Sequence, residues 1–246
     1  MKIIISPAKK MNVDTDSFAA DGLPAFLAET KTLMTAIQAL SFAEAKALWK
    51  CNDKLATLNY RRFQEMNLER GLTPAVMAYE GLQYQHMAPG VFTAEALSYL
   101  SECLRILSGF YGLLKPFDGV VPYRLEMQAR LSVNGCSDLY EFWGGRLYRH
   151  LTKEDRVIVN LASREYSQCI EKYITPEDRF ITVEFGEVVD GKVKQKGTLA
   201  KIARGEMVRF LAENNICRPE GMKEFHALGF SYCSDLSDAE KYVFLR

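Results

Sequence analysis

The residues best suited to chemistry lie in one stretch, Leu107–Met127, with the sequence LSGFYGLLKPFDGVVPYRLEM. Tyr111, Tyr123 and Glu126 are candidate catalytic side chains, because a carboxylate can act as a general acid or base and a phenol can donate a proton. Arg124 lies two residues before Glu126, and in an extended segment both side chains project to the same side. The stretch therefore indicates either a charged functional site or a structural turn with one surface ion pair.

The same stretch is rich in residues that shape the backbone, namely Gly109, Gly112, Pro116, Gly119 and Pro122. Glycine permits a positive φ or a close backbone approach, and proline fixes φ and donates no hydrogen bond. We therefore predict a turn at KPFDG, which begins with Lys115, and an extended segment over VVPYRLEM.

Basic side chains recur elsewhere in the chain. Lys9 and Lys10 follow a predicted strand, and Ser163 lies between a predicted strand and a helix, where free N–H groups suit an anion. The most cationic run contains Lys192, Lys194, Lys196, Lys201, Arg204 and Arg209. Together with Lys115, Arg124 and Arg130, these residues are candidate ligands for DNA or another anion, and a solvated surface is the alternative explanation for each group.

Apolar runs predict the strands that must position these residues. The run over 2–6 and the run RVIVNL over 156–161 predict buried strands, the second followed by a helix to about Tyr173. Two short strands, over Phe230–Cys233 and Tyr242–Leu245, are predicted at the end of the chain.

A hairpin is predicted immediately before the last basic residues. The segments Phe180–Val189 and Lys192–Thr198 flank Asp190-Gly191, a typical two-residue hairpin turn. Pairing across this turn places Glu187 opposite Lys194, and puts the three lysines of the second strand on one face.

Helical periodicity and capping signals predict the remaining elements. The pair Gly144-Gly145 falls inside one predicted helix. We interpret this pair as allowing close packing of the helix, in preference to forming a phosphate-binding helix-hairpin-helix element. In chain order, the predicted helices are one that begins at Pro24, one from Ser41 to about Asn59, one after Thr73-Pro74, one from Thr93 along a leucine stripe to Leu107, one from Asp138 to about Leu151, one that begins at Leu199, and one over Glu220–Leu228. These elements predict a mixed α/β (α+β) fold, with a mixed sheet flanked by helices in one domain over residues 1–246.

Composition limits the classes of function. Lys plus Arg and Asp plus Glu both number 31, so any anion site must be a local patch. The six cysteines are scattered without a CxxC pair, which is typical of reduced thiols. We find no metal-ligand spacing among the three histidines, no nucleotide-binding glycine motif and no apolar run long enough for a membrane span. We therefore expect no metal, no cofactor and no membrane association.

Six segments, in order along nearly the whole chain, resemble the UPF0246 (DUF328) family of bacterial peroxide-stress proteins. They are IISPAKKM (4–11), AYEGLQY (78–84), the stretch LSGFYGLLKPFDGVVPYRLEM, NLASREY (160–166), AKIARGEMVRF (200–210) and GFSYCSDLSDAEKYVFLR (229–246). The resemblance implies a cytoplasmic protein with a family-specific fold and a positively charged cleft that binds double-stranded DNA. It also implies a role in limiting damage from free iron during peroxide stress. No obligate protein partner is evident from the sequence.

Two hypotheses of function follow. In the first, the basic residues neutralise the phosphates of a duplex without reading base sequence. In the second, side chains from distant segments converge in a pocket of an enzyme that acts on a nucleotide-like or phosphorylated small molecule, the convergent set being Tyr111, Lys115, Tyr123, Arg124, Glu126, Ser163 and Arg204. An open groove would favour the first hypothesis, and a closed pocket the second.

Overall fold

Continuous apolar runs form the central strands. In the computed structural model, which describes residues 1–190 and 192–246 and only the backbone of Lys192, Ile3, Ile4 and Ile5 have no exposed surface. Strands buried on both faces are typical of a parallel sheet with helices on both sides.

The strands and helices are as follows. The strands are β1 (Lys2–Ile5), β2 (Lys10–Met11), β3 (Thr73–Pro74), β4 (Tyr79–Glu80), β5 (Leu104–Ser108), β6 (Gly112–Leu114), β7 (Gly119–Val120), β8 (Val157–Leu161), β9 (Arg179–Val189), β10 (Lys192–Lys194), β11 (Ser231–Tyr232) and β12 (Lys241–Leu245). The α-helices are α1 (Leu27–Gln38), α2 (Phe42–Trp49), α3 (Asp53–Gln64), α4 (Ala75–Ala78), α5 (Leu82–Met87), α6 (Ala94–Cys103), α7 (Leu139–Trp143), α8 (Arg146–Leu151), α9 (Arg164–Glu171) and α10 (Gly197–Glu213). Short 3-10 helices cover Pro89–Val91, Pro219–Glu224 and Ser234–Leu236.

The main sheet, within the part of the chain described, has the order β11-β12-β9-β8-β1-β5-β6, and β10 pairs with β9. Strand β1 is parallel to β5 on one side and to β8 on the other, so the direction of winding reverses at β1. Such a reversal opens a crevice outside the carboxyl ends of the two diverging strands. A binding site is therefore expected at the loops after β1 and β8.

One continuous hydrophobic core joins the sheet to the helices on both faces. The predicted mixed sheet flanked by helices, in a single α/β domain, is confirmed.

Several local predictions are also confirmed. Strands β9 and β10 form the predicted hairpin with Lys194 opposite Glu187, although the predicted turn residue Gly191 lies outside the described residues. Ser41 and Glu44 form a complete capping box at the start of α2, and the hydroxyl of Thr93 caps α6. These signals involve neighbours in sequence, which is why they could be recognised without a structure.

The helix predicted along the leucine stripe to Leu107 is wrong in its last four residues. Helix α6 ends at Cys103, and Leu104–Ser108 forms strand β5 between β1 and β6. A short apolar run that is buried on all sides does not distinguish a strand from a helix by periodicity alone.

Two other predicted helices are interrupted. The helix from Ser41 to about Asn59 breaks at Lys50, whose φ of 46° is left-handed, and Asn52 then caps α3. The helix from Asp138 to about Leu151 breaks at Gly144, with a φ of 49°. The glycine pair therefore serves a turn between two short helices.

The remaining differences concern the ends of elements. The predicted strand to Thr198 stops at Lys194, because α10 begins at Gly197. The last predicted helix is the 3-10 helix Pro219–Glu224. The first of the two C-terminal strands shortens to Ser231–Tyr232.

The segment VVPYRLEM (120–127) is extended. Its first residue, Val120, belongs to β7, and the rest of the segment lies outside any strand. Its side chains alternate as predicted, with Tyr123, Leu125 and Met127 buried and Arg124 and Glu126 partly exposed. In place of a partner strand, the segment packs on the backbone of the preceding turn.

Gly109 makes this packing possible. A Cβ atom added at Gly109 would lie 2.7 Å from the carbonyl oxygen of Leu125 and 3.0 Å from that of Glu126. Only glycine allows the turn to approach so closely, so Gly109 helps to place the Arg124–Glu126 segment.

Candidate functional site

The loops after β1 and β8 are joined at the crevice by two serines. The backbone N–H of Ser163 donates a hydrogen bond to Oγ of Ser6 (2.8 Å), and the two hydroxyl oxygens are 3.2 Å apart. The hydroxyl of Tyr84, on α5, donates to the carbonyl oxygen of Ser6 (2.9 Å). Three separate elements are thus held together at the carboxyl edge of the sheet.

A cavity of about 370 Å³ lies beside these serines, and we call it the carboxyl-edge cavity. Its charged lining consists of four basic side chains, Lys9, Lys10, Lys201 and Arg204, and two acidic ones, Glu80 and Glu165. Its other lining residues are Ser6, Pro7, Ala8, Gly81, Leu82, Gln83, Tyr84, Ser163 and Tyr166. The cavity is thus largely apolar with an excess of positive charge.

Arg204 is the most unusual residue of this lining. The residue is half-buried, and its Nε is shielded from solvent without a hydrogen-bond partner among the described residues. Burial lowers the pKa of the guanidinium, an effect that the charge of Glu184 partly opposes. A shielded donor of a charged group that has no partner is costly, so this arrangement is typical of a position that a ligand completes.

Gln83 lies in the same lining and shares this property. It is 6% exposed, and its Nε2 has no hydrogen-bond partner among the residues described. An unsatisfied buried donor costs about 1–3 kcal/mol. Arg204 and Gln83 together give the carboxyl-edge cavity two unused hydrogen-bond donors, which suit an acceptor or an anion.

A carboxylate lies between two cations next to the cavity. Oε1 of Glu126 is 2.9 Å from Nζ of Lys9 and 3.1 Å from Nη2 of Arg124. The predicted Arg124–Glu126 pair is therefore present, and Lys9 from the loop after β1 joins it. Burial raises the pKa of the nearby Glu165 carboxyl, and the charge of Glu126 adds to the effect.

A chain of buried hydroxyl groups lies under this charged cluster. The Tyr123 hydroxyl is 2.6 Å from Oγ of Ser108 and 2.7 Å from the hydroxyl of Tyr79. Ser108 Oγ accepts the backbone N–H groups of Phe110 and Tyr111, so its own hydrogen points to Tyr123. One of the two tyrosine hydroxyl groups donates to the other, so one phenolic hydrogen is left that can donate to another group. Burial raises the pKa of Tyr123 to about 12, so both phenols are protonated donors at neutral pH.

A second, much smaller space of about 20 Å³ lies on the other side of Arg124. Nε1 of Trp49 and Nε of Arg124 border it, and neither has a hydrogen-bond partner within the described chain. The space is large enough for one water molecule, so it holds at most one acceptor atom.

Eight of the predicted site residues meet in this region. Lys9, Lys10, Ser163, Lys201 and Arg204 line the carboxyl-edge cavity. A separate small space of about 10 Å³, which shares Lys9 and Tyr166 with that cavity, is lined by Lys9, Tyr123, Arg124 and Glu126 among others. They come from four distant segments of the chain, as the pocket hypothesis requires.

Lys115 lies elsewhere. Strand β6 runs antiparallel to β5 and places Leu114 opposite Ile106, so the chain returns to the amino edge of the sheet before Lys115. Lys115 lines a separate cavity of about 390 Å³ at that edge, with Arg105, Asp118 and His150. It does not join Lys9 and Arg124.

The other predicted residues also lie outside the carboxyl-edge cavity. On the hairpin, Lys194 pairs with Asp190 (3.3 Å) and Lys196 with Glu187 (2.6 Å), while the side chain of Lys192 lies outside the described part. Arg209 pairs with Glu213 (2.9 Å), Arg130 is exposed, and Tyr111 is buried with its hydroxyl accepting the N–H of Val121 (3.1 Å). Tyr111 is therefore placed as a structural residue.

Sequence reasoning missed several residues of the site, namely Ser6, Trp49, Tyr79, Gln83, Tyr84, Ser108, Glu165 and Tyr166. A usable signal existed for some of them, because AYEGLQY and NLASREY were both among the segments that carry the family resemblance. Their polar and aromatic residues could have been considered together with the central stretch.

The amino-edge cavity yields a prediction about stability. Burial raises the pKa of Asp118 to about 6, although its Oδ2 accepts the N–H of Lys115 (2.8 Å). An acid with a raised pKa retains its proton in the folded state between about pH 4 and 6, so stability falls as the pH rises through that window. Asp118→Asn keeps the acceptor and removes the buried charge.

We expect Asp118→Asn to raise the free energy of unfolding at pH 7.5 by up to about 3 kcal/mol, with little effect near pH 4. Urea unfolding of both proteins at the two pH values measures this difference. Equal or lower stability of the variant at pH 7.5 would show that the Asp118 carboxylate is well solvated or paired when folded.

These features define an α/β protein with a basic-lined cavity at the carboxyl ends of its parallel strands. A family model described as peroxide stress protein YaaA matches residues 1–236. The chain belongs to this family, so the resemblance drawn from the six segments is confirmed.

Curated relatives carry the name UPF0246 protein. The chain is 53% identical over 246 residues to one from Pediococcus pentosaceus, which covers 100% of this chain and 98% of the relative. It is 54% identical over 246 residues to one from Agathobacter rectalis, covering 100% and 99%. It is 50% identical over 246 residues to one from Ligilactobacillus salivarius, covering 100% of both.

The described residues form neither a metal-binding cluster nor a helix that could span a membrane. They contain no group of three or more His, Cys, Asp and Glu side chains arranged to hold a metal ion. No helix in the same residues has the length and apolar character needed to cross a bilayer.

Proposed function

We propose that this peroxide-stress protein binds the phosphates of double-stranded DNA at the carboxyl-edge cavity, without sequence preference. The observation that carries the proposal is Arg204, a half-buried residue whose shielded Nε has no partner among the described residues, in a cavity where basic groups outnumber acidic ones. Guanidinium groups bind phosphate oxygens through paired hydrogen bonds. Bound DNA would be shielded from radicals produced by free iron, which is how the protein would limit such damage.

The rim of the cavity suits an extended anion. The side chains of Lys9 and Lys10 are 63% and 72% exposed, and Lys201 is also exposed. Exposed lysines contribute to DNA binding by displacing counterions from phosphates, which is a sequence-independent effect. A local basic rim of this kind is compatible with a net charge of zero for the whole chain.

The salt dependence of binding tests where DNA contacts the protein. We expect the double variant Lys10→Gln, Lys201→Gln to bind duplex DNA more weakly and to make the slope of log K against log salt shallower by about 2. The matched control, Lys194→Gln with Lys196→Gln, removes the same charge from the hairpin, where both lysines are paired with carboxylates as Lys10 is with Glu80 (2.6 Å). Fluorescence anisotropy at several salt concentrations measures both slopes.

The control also tests the competing interpretation of the sequence, in which the hairpin lysines face the duplex. If the salt slope is shallower for the hairpin variant and unchanged for the cavity variant, the DNA contacts the hairpin. That result would overturn the proposal.

An enzyme that acts on an anionic, nucleotide-like or phosphorylated small molecule is the second candidate. The volume of about 370 Å³ falls within the usual range for small-molecule sites. Glu126 and the phenol chain beside it provide a base and a proton donor. Turnover of a phosphorylated compound by the purified chain would distinguish this candidate from DNA binding.

A further inference from the structure

The size of the carboxyl-edge cavity does not match that of a double helix. A space of about 370 Å³ admits one small ligand, and its lining comes from four separate segments that surround it. A duplex can contact the lysines at the rim, whereas only a group that leaves the duplex can reach the interior. The buried donors of Arg204 and Gln83 therefore need an acceptor that enters the cavity.

The lining offers two kinds of surface. Arg204 and Lys201 are cationic groups of the lining, which suit a phosphate. Tyr84, Tyr166 and Leu82 add aromatic and apolar groups to the same lining, which suit the face of a planar ring. A nucleotide is a molecule that combines these two requirements, an anionic group and a flat ring.

Gln83 adds a group that can read a base edge. Amide side chains form hydrogen bonds to the edges of bases, and the terminal torsion of glutamine is soft. Since Nε2 of Gln83 has no partner among the described residues, turning it toward the cavity breaks no hydrogen bond that these residues form.

We propose that the carboxyl-edge cavity binds a single nucleotide unit, with its phosphate on Arg204 and its base against Tyr84, Tyr166 and the amide of Gln83. The unit comes either from the DNA of the proposed function, as a nucleotide extruded from the duplex, or from a free mononucleotide. The first source rests on the proposed function, and the second does not.

Extrusion has a measurable energetic signature. Removing a base from the stack costs a few kcal/mol, and the cost is lowest where the base is mispaired. A protein that binds the extruded nucleotide therefore prefers a mispaired duplex to a paired one. We expect a preference of about tenfold, which corresponds to about 1.4 kcal/mol.

The experiment uses two duplexes of the same sequence with 2-aminopurine at the centre, one paired and one mispaired. We expect tighter binding of the mispaired duplex and a rise in 2-aminopurine fluorescence as the base leaves the stack. Gln83→Leu should reduce the preference to below about threefold and lower the fluorescence change. The control Lys194→Gln, on the hairpin, should behave as the unaltered protein. Thermal melting confirms that each variant is folded.

A calorimetric titration of the protein with purine and pyrimidine nucleoside monophosphates, without DNA, identifies the other source. Saturable binding that Gln83→Leu weakens, without any fluorescence rise on the duplexes, assigns the cavity to free mononucleotides. This result would stand even if duplex DNA did not bind, so failure of the proposed function is distinguishable. Equal affinity for both duplexes, constant fluorescence and no binding of monophosphates would overturn the nucleotide site.

Discussion

Replacing Arg204 with methionine is expected to abolish tight DNA binding and, at the same time, to make the protein more stable. Truncating a buried charged hydrogen-bond partner typically costs about 2–5 kcal/mol in binding, which is at least about 30-fold in affinity. In the free protein the same guanidinium has no partner among the described residues, so its removal relieves a desolvation cost. Methionine keeps much of the length and packs well against apolar walls.

We expect the melting temperature of Arg204→Met to rise by about 2–8 °C, which corresponds to about 1–2 kcal/mol for a chain of this size. Calorimetry and anisotropy on the same preparation measure both effects. Arg209→Met is the matched control, since Arg209 lies on the same helix but pairs with Glu213 outside the cavity. A loss of stability with unchanged binding in Arg204→Met would show that the guanidinium is structural.

Gly205→Ala is expected to damage both stability and binding. Gly205 lies on α10 against α5, where an added Cβ atom would overlap the carbonyl oxygen of Gln83 and come within 3.1 Å of the Cβ of His86. Overlap with a backbone atom cannot be relieved by rotating a side chain, so the two helices must separate. Since α10 carries Arg204 and α5 carries Gln83, their separation changes the walls of the carboxyl-edge cavity.

The expected cost of Gly205→Ala is about 1–3 kcal/mol, even though alanine favours a helix over glycine by about 1 kcal/mol. Gly197→Ala is the control, because Gly197 lies on the same helix with no atom within 4 Å of its added Cβ. Urea unfolding should show a less stable Gly205 variant and a Gly197 variant that is unchanged or more stable. Equal stabilities would mean that the helices tolerate the extra methyl group.

Features that depend on neighbours in sequence were predictable. The central strands β1 and β8, the β9–β10 hairpin and the caps of α2 and α6 all follow from apolar runs, turn residues or capping side chains. Strand β5 was not predictable in this way, because Leu104–Ser108 takes its conformation from β1 and β6 on either side. An apolar run in isolation carries no information about those partners.

The site was predictable only in part for the same reason. The pairing of Arg124 with Glu126 follows from alternation over two residues. Lys115 lies outside the site because of the direction in which β6 runs. Lys196 pairs with Glu187 because of how the hairpin folds. That Arg204 and Gln83 lack partners depends on how α10 packs on α5, which a sequence pattern does not specify.

The position of Glu126 has a consequence for the choice of anion. Its carboxylate already offsets one of the two positive charges of Lys9 and Arg124, which it contacts at 2.9 and 3.1 Å. A chloride ion arriving at these two cations would only replace one single negative charge with another, and would gain little. A ligand with several linked negative charges can displace the carboxylate and contact Arg204 and the rim lysines as well. We therefore expect Glu126 to act as an internal competitor that favours polyanions over monovalent anions.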